Sequence, residues 1–346
     1  MTAAHHDESP KKSAALGRDA AVPWRIPFAG LKEVFLRVWS ETTKDDVNRA
    51  AAAVAFYAFF ALFPALIAVV SLYGLLADPN ELKSYVSDGD VTLPESVQRL
   101  IVNQLTEIIS GSRTQLTLSV VISLCFAWFS ASRGVLALID AVNVAYNERE
   151  TRGWLTRRWL AVRFTIGLSV FVSISIAALT FVPALLTLFG LDALFRLVRW
   201  PLLGVMVMVG LAFLYRYAPN RTPPRWPWVT WGAALATVAW LTVSVGLATY
   251  VDSFSRFNAT YGALGAFVAL LLWFFLSAYA VVIGAELNAE LEHQTAIDTT
   301  VGPPRPLGER AAVMADQVAQ PEPSEPWSAS IKRALKNARR AKRTKN

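Results

Sequence analysis

The stretch from Tyr261 to Glu292 reads YGALGAFVALLLWFFLSAYAVVIGAELNAELE. It carries no charge before Glu286 and is rich in Leu, Phe, Val and Ala, so a helix built from it is apolar on every side. Such a helix is either buried in a large protein or spans a membrane, and about 20 apolar residues cover the hydrocarbon core of a bilayer. The abrupt change to ELNAELE then indicates where the helix leaves the lipid.

The composition of the whole chain favours a membrane protein. Of its 346 residues, 54% are hydrophobic and only 17% are charged, whereas an ordinary soluble domain has roughly 25% charged residues. We therefore predict an all-α integral membrane protein. The single cysteine, Cys125, excludes an intramolecular disulfide framework, and with three histidines in the chain we expect no metal or cofactor.

Six segments are long and apolar enough to cross a bilayer as helices. They cover about 50–77, 115–139, 160–189, 198–215, 226–250 and 262–285. The fourth is the weakest because Arg196, Arg199 and Pro201 crowd its start, and a helical hairpin that only enters the bilayer is its alternative. Together the segments predict a six-helix membrane domain over residues 26–293.

The distribution of Lys and Arg predicts the orientation, because cytoplasmic loops retain these residues. The two tails and the loops after the second and fourth spans hold 25 of them, and the loops on the other side hold 6. We therefore predict that both termini are cytoplasmic.

The N-terminal part is expected to hold a disordered tail, residues 1–25, and then an amphipathic helix. Its apolar residues recur at helical spacing: Leu31, Val34, Phe35, Val38 and Trp39. This pattern is typical of a helix that lies in the membrane interface, and a short soluble helix packed on the cytoplasmic loops is its alternative. On the opposite side of the membrane, residues 78–114 are predicted to form a long loop with a capping helix.

The C-terminal tail, residues 294–346, is rich in Pro, Gly, Ala and charge, and we expect it to be disordered. Its end is strongly basic, and contact with the headgroups of anionic lipids is one interpretation. The residues proposed for that contact are Lys332, Arg333, Lys336, Arg339 and Arg340. An idle solvated tail and a nucleic-acid-binding segment are the alternatives, and the absence of interleaved aromatic residues disfavours nucleic acid.

Charged residues near the ends of the spans all fall on the predicted inner side. Arg133 and Asp140 are seven residues apart on one face of the second span, Arg163 opens the third, and Glu286 closes the sixth. In one interpretation Arg133 and Arg163 extend to the interface and Glu286 pairs with one of them. In the other, these residues line a polar vestibule that receives a charged headgroup or an ion.

Small residues predict close helix contacts. Gly262 and Gly265 lie in the sixth span with small residues four positions on, Gly232 precedes Ala236, and Gly284 lies near the inner end of the sixth span. We assign these glycines to helix packing. The sequence offers no catalytic triad, phosphate loop or nucleotide fingerprint, so we expect no enzyme activity.

Four segments in order resemble one family. They are AAAAVAFYAFFALFPALI (50–67), SASRGVLALIDAVNVAYNERETRG (130–153), LYRYAPNR (214–221) and residues 258–292. Together they are similar to the YihY/virulence factor BrkB family, once labelled ribonuclease BN, over about residues 30–293. The resemblance implies a six-helix protein of the bacterial inner membrane but supplies no reaction.

The family pattern falls on several polar residues of these segments. Tyr57, Asn143 and Asn288 are among them, and they join Arg133, Asp140, Arg163 and Glu286 as candidate vestibule residues. The favoured hypothesis is a non-enzymatic protein of transport or of lipid and envelope handling. A scaffold that recruits partners through its basic tail is the alternative, and the old ribonuclease label is a remote one. The expected partner is the lipid bilayer, and the oligomeric state is left open.

Overall fold

The computed structural model describes residues 14–76, 113–190, 192–255 and 262–319, which form helices and their connections. The helices are α1 (Phe28–Lys44), α2 (Val47–Leu76), α3 (Arg113–Ala145), α4 (Trp154–Leu188), α5 (Asp192–Tyr217), α6 (Pro227–Ser255), α7 (Gly262–His293) and α8 (Val313–Asp316). Six of those described, α2 to α7, are long and apolar enough to cross a membrane. The predicted fold class is confirmed. The predicted capping helix in residues 78–114 lies almost wholly outside the described residues.

The helices continue past the ends of the predicted spans. α3 runs to Ala145 and α7 to His293, about two turns beyond the predicted span ends at residues 139 and 285. Hydropathy marks where a helix leaves lipid, whereas the helix ends only where its backbone is capped or turned. The fourth predicted span is one helix of 26 residues, about 39 Å long. The hairpin alternative is therefore wrong for this segment.

The packed core lies at one end of the bundle. Ile139, Tyr146, Tyr215 and Ala285 are each fully buried there, where the ends of α3, α5 and α7 meet the start of α6. Elsewhere the spanning helices expose large apolar side chains, for example Phe60 on α2 and Ile174 on α4. This distribution is typical of helices that contact lipid along their length and pack tightly only near their polar ends.

The tails pack over the same end, which we call the capped end. There residues 14–46, 146–153, 218–226 and 294–319 cover the ends of the spanning helices. The Gln294 side chain donates to the Leu16 carbonyl at 2.9 Å, and the Ala296 N–H donates to the Arg18 carbonyl at 2.8 Å. The prediction of disordered tails is therefore wrong for residues 14–25 and 294–319.

The fold of the C-terminal segment depends on one buried arginine. Arg310 is 3% exposed and donates to the carbonyls of Ala296 and Ala315 at 2.7 and 2.6 Å. Met314 joins the main core. The composition of this segment did not predict that it folds, because a few hydrogen bonds, rather than a run of apolar residues, hold it in place.

Helix α1 divides its apolar residues between two environments. Val34 and Val38 are buried against Leu291 of α7 and Trp228 of α6, and each such burial stabilises by roughly 1.5–3 kcal/mol. Phe35 and Trp39 are 64% and 77% exposed. The predicted helix therefore packs on the bundle, and the placement of its exposed face in the membrane interface stays a prediction.

Helices α6 and α7 cross at two of the predicted packing glycines. A Cβ on Gly232 would lie 1.9 Å from the Gly284 carbonyl, and one on Gly284 would lie 2.4 Å from the Tyr215 hydroxyl. Only glycine allows this approach. Gly265, in contrast, has open space around its Cα, and Gly262 begins α7.

Candidate functional site

A cavity of about 210 Å³, which we call the vestibule, lies between α2, α3 and the start of α4. Its lining comprises Tyr57, Arg133, Leu136, Ala137, Asp140, Trp154, Arg157 and Arg158. The structure thus brings together three of the candidate residues named from sequence. Arg133 lies 12 residues before the end of α3, about 18 Å along the axis, so the vestibule extends from the capped end into the span.

The fold places these residues together through local features of the chain. The seven-residue spacing of Arg133 and Asp140 puts both on one face of α3. After Ala145 the chain turns sharply, with Asn147 in the left-handed region at φ 53°. The turn returns the chain so that the first residues of α4 stand beside Asp140.

The vestibule carries an excess of positive charge. Arg157 Nη2 donates to both carboxylate oxygens of Asp140, so these two charges offset each other. Arg133 lies over the Phe129 ring at 5.2 Å, and Arg158 over the Trp154 ring at 6.0 Å. Neither arginine forms an ion pair with another described residue, so two guanidinium groups are available to an anion, and guanidinium binds carboxylate and phosphate with paired hydrogen bonds.

Among the charged and aromatic lining residues, three were not candidates from the sequence: Trp154, Arg157 and Arg158. The two arginines entered it only as loop charges that set the orientation. The signal that could have identified them is their position at the start of α4, which follows the helix of Asp140 after a short connection. Trp154 is 74% exposed, which fits an aromatic residue at the membrane boundary.

The other candidate residues lie elsewhere. Arg163 is exposed on α4 and does not line the vestibule. Asn143 Oδ1 accepts from the Asn220 N–H at 2.7 Å, and its Nδ2 donates to Glu150 at 3.2 Å. Asn143 thereby joins α3 to two connecting segments of the capped end, 146–153 and 218–226.

Asn288 links α6 and α7. Its Oδ1 accepts from the Gly232 N–H at 2.7 Å, and its Nδ2 donates to the Val229 carbonyl at 3.2 Å. Since the side chain is fully buried, both bonds act in a low-dielectric contact. Asn288 therefore stabilises the crossing of these helices rather than lining the vestibule.

Glu286 is also separated from the vestibule. It is 1% exposed, and neither carboxylate oxygen has a hydrogen-bond partner among the described residues. The pairing of Glu286 with Arg133 or Arg163, one of the interpretations from sequence, is thus not found in this part of the chain. Its charged neighbours are Asp45, Glu41 and Glu290.

Helix α7 ends in acids that bind the surrounding segments. Glu290 accepts from Arg37 Nε at 2.5 Å, and Glu292 accepts from Arg221 Nη2 at 2.7 Å, with both side chains of the second pair fully buried. Burial alone would lower the pKa of Arg221, but the charge and hydrogen bond of Glu292, together with Tyr146 and Glu148, outweigh it, and the pKa is raised. These pairs fix the geometry of the capped end.

A second cavity, of about 820 Å³, lies under the C-terminal segment. Glu148 and Asn220 line it on one side, and His293, Val313 and Asp316 on the other. Burial raises the pKa of the Glu148 carboxyl, although the Val313 N–H donates to it at 2.8 Å. No candidate residue named from sequence lines this cavity.

The sequence also led to expectations about metal binding and about the basic tail. In the described ranges, no three His, Cys, Asp or Glu side chains are grouped so as to hold a metal ion. The proposed headgroup contacts, Lys332 to Arg340, lie outside the described residues.

The sequence is similar to known membrane proteins over most of its length. The family model described as Virulence factor BrkB matches residues 38–306. The ribonuclease-like protein YfkH of Bacillus subtilis is 27% identical over 282 residues, which cover 75% of this chain and 94% of that protein. A UPF0761 membrane protein of Idiomarina loihiensis is 25% identical over 194 residues, 55% of this chain and 67% of its own. No solved structure matches the chain.

A third relative matches a shorter part of the chain. A UPF0761 membrane protein of Vibrio cholerae is 31% identical over 125 residues, which are 35% of this chain and 41% of that protein. The family match itself ends at residue 306, beyond the predicted domain boundary at 293. The matched region therefore includes the first part of the folded C-terminal segment.

Proposed function

The chain belongs to the virulence factor BrkB family of multi-pass membrane proteins, and on that premise we propose that it moves or handles phosphate-bearing anions without enzymatic turnover. The proposed location is the bacterial inner membrane, with both termini in the cytoplasm. The anion enters the vestibule from the capped end. The observation that carries this proposal is a cavity at the membrane boundary with two guanidinium groups not offset by the Asp140 carboxylate.

The size and charge of the vestibule favour small anionic groups. Its volume of about 210 Å³ is below the roughly 300–1,000 Å³ of sites for drug-sized ligands. A headgroup phosphate or a free inorganic anion fits this description, because both present oxygens that a guanidinium binds in pairs. Arg157 can leave Asp140 for such an anion only by giving up a charge-assisted bond, so Arg133 and Arg158 are the first binding groups.

Transport by the purified full-length protein tests the proposal. Liposomes of phosphatidylethanolamine and phosphatidylglycerol receive the protein, and two movements are followed: fluorescent phosphatidylglycerol between leaflets, and radiolabelled phosphate across the bilayer. The first arm detects handling of a lipid headgroup, and the second detects transport of a free anion. Loss of one charge-assisted hydrogen bond costs about 1.5–3 kcal/mol, so Arg133→Ala should slow the movement about tenfold or more.

Two further variants serve as controls. Arg133→Lys keeps the charge and should retain part of the activity. Arg163→Ala removes an arginine of α4 that does not line the vestibule, and it should move the probe at the wild-type rate. Equal rates for the wild type and Arg133→Ala, or no movement of either probe by the wild type, would contradict the proposal.

A second candidate follows from the name of one relative. YfkH is described as ribonuclease-like, and a cavity with excess arginine also suits an RNA phosphate. Incubation of the purified protein with labelled RNA tests this candidate. Turnover that Arg133→Ala and Arg158→Ala both reduce would favour it, and intact RNA would exclude it for this protein.

A further inference from the structure

Two carboxyl groups from different elements meet in the buried contact between α1 and α7. Glu286 of α7 is 1% exposed, and Asp45, the residue that ends α1, is half-buried. The two carboxyl groups lie close enough to act on each other's charge. While both are ionised neither has a hydrogen to donate, and both Glu286 oxygens and Asp45 Oδ2 are buried without another partner in the described residues.

The nearby cations are engaged by other acids. Arg37 of α1 binds Glu290 at 2.5 Å and Gln294 at 2.6 Å. Lys44 binds Glu41 at 2.6 Å and is 60% exposed. The positive charges that face the contact therefore already have carboxylate or amide partners.

The remaining groups around Glu286 do not supply positive charge. Glu41 and Glu290 add negative potential at both Asp45 and Glu286. On the side of α3 the phenol of Tyr146 interacts with Glu286, and burial raises the pKa of this phenol, so it stays neutral. At Asp45 the charge of Lys44 also acts, but Lys44 is exposed and paired with Glu41. Two ionised carboxylates, one buried and one half-buried, are therefore costly, since like charges in a shared site disfavour double ionisation.

We propose that Asp45 and Glu286 form a proton-binding site, in which the pair holds one proton at neutral pH as a carboxyl–carboxylate hydrogen bond. One proton neutralises one of the two carboxylates and provides the hydrogen for a bond between them. It therefore removes both the repulsion of like charges and the lack of a donor. Burial, and then the charge of Glu41, raise the pKa of the Asp45 carboxyl, which agrees with this assignment. The pair titrates as a unit, so the proton belongs to both residues.

The position of the pair gives the proton a structural consequence. Asp45 is followed by Asp46 in the left-handed region at φ 50°, where the chain turns from α1 into α2. Release of the proton leaves two like charges across the α1–α7 contact and weakens it. This inference goes beyond the proposed function, because it does not depend on what the vestibule binds.

Infrared difference spectroscopy of the full-length protein tests the site directly. A protonated carboxyl absorbs apart from carboxylates and amides, and its band shifts in D₂O. We expect a band for one protonated carboxyl per chain at neutral pH in sodium-free buffer and in buffer with sodium. Glu286→Gln and Asp45→Asn should each remove the band, because each replaces half of the pair.

Glu290→Gln is the matched control. Glu290 lies one turn after Glu286 on α7 and is 2% exposed, but its carboxylate is bound by Arg37. This variant should keep the band and lower the melting temperature, whereas Glu286→Gln should keep or raise the melting temperature. No band in the wild type, a band that survives both Asp45→Asn and Glu286→Gln, or a band that sodium abolishes would overturn the proposal. The last outcome would assign the pair to a metal cation.

The wild type alone supplies a further measurement if a variant does not fold. The folded protein holds a proton that the unfolded chain releases at neutral pH, so stability falls as the pH rises from the ordinary carboxyl pKa towards the value at which the pair ionises, and it levels off above that value. We expect the melting temperature in detergent to fall with rising pH while the band persists and to level off where the band is lost. A melting temperature that does not change with pH while the band persists would separate the proton from the α1–α7 contact and overturn that step.

Discussion

At the residue scale, the capped end shows which side chains the helix crossings tolerate. Gly232 and Gly284 face each other where α6 meets α7, and Asn288 bonds to both the Gly232 N–H and the Val229 carbonyl. The backbones approach so closely there that only hydrogen atoms fit between them. The sequence motif predicted packing at Gly265 as well, but the same small-residue pattern has open space there.

Gly232→Ala is expected to destabilise the protein by roughly 1–3 kcal/mol, since the added methyl group would overlap the Gly284 carbonyl and force the helices apart. Thermal unfolding in detergent measures the change. Gly265→Ala is the matched control, because its Cβ meets nothing within 4 Å, and it should change the free energy of unfolding by at most about 0.5 kcal/mol. Equal stability of the two variants would contradict the packing account.

At the element scale, the segment 294–319 behaves as part of the domain. Asp298 organises its turn: the carboxylate accepts from the N–H groups of Thr300 and Arg305 at 2.9 and 2.8 Å. Burial raises the pKa of Asp298, but these hydrogen bonds and the charge of Arg310 lower it by more, so the pKa lies below its ordinary value.

Acid should therefore loosen this segment. A lowered folded pKa means that the stabilisation is present above the unfolded pKa of about 3.9 and is lost as the pH falls through the folded value. Pepsin cleavage near residues 300–310 should increase over this acid range in the wild type. Asp298→Asn should be cleaved more readily at the upper end of the range and change less with pH. Asp19→Asn, an exposed acid of the N-terminal segment, should follow the wild type.

The sequence predicted elements better than contacts. Six apolar runs identified six helices, because hydropathy and length are local properties. The partners of the acids in ELNAELE were not predictable, since Glu290 binds Arg37, 253 positions away, and Glu292 binds Arg221 from another loop. The vestibule was predicted in part, because Arg133 and Asp140 share a helix face whereas Arg157 reaches Asp140 only through a turn.

At the scale of the whole molecule, charge and packing concentrate at one end. The spanning helices expose apolar side chains along their length, and the capped end holds the ion pairs of Arg37 and Arg221 together with both folded tails. The vestibule opens beside this rigid region. The transport hypothesis therefore requires the vestibule, whereas the scaffold hypothesis requires the basic C-terminal tail.

Two truncations separate these hypotheses. Removal of residues 320–346 should leave the melting temperature and the transport rate unchanged, because the composition of this part of the tail predicts that it does not fold by itself. Removal of residues 294–346 should lower the melting temperature, since it also removes Thr299 from Glu292 and Met314 from the core. If removal of residues 320–346 abolished the function of the protein in the cell while transport by the purified protein persisted, the scaffold hypothesis would be favoured.

The bond between the Leu16 carbonyl and Gln294 joins positions 278 residues apart in the chain. Ribosomes deliver the N-terminal partner first and the other only after the final helix has been synthesised. This contact can therefore form only after α7 has been synthesised. In a nascent chain whose sixth span fails to insert, Arg37 lacks its ion-pair partner Glu290. A failure late in translation therefore leaves an ion pair of the N-terminal segment unformed.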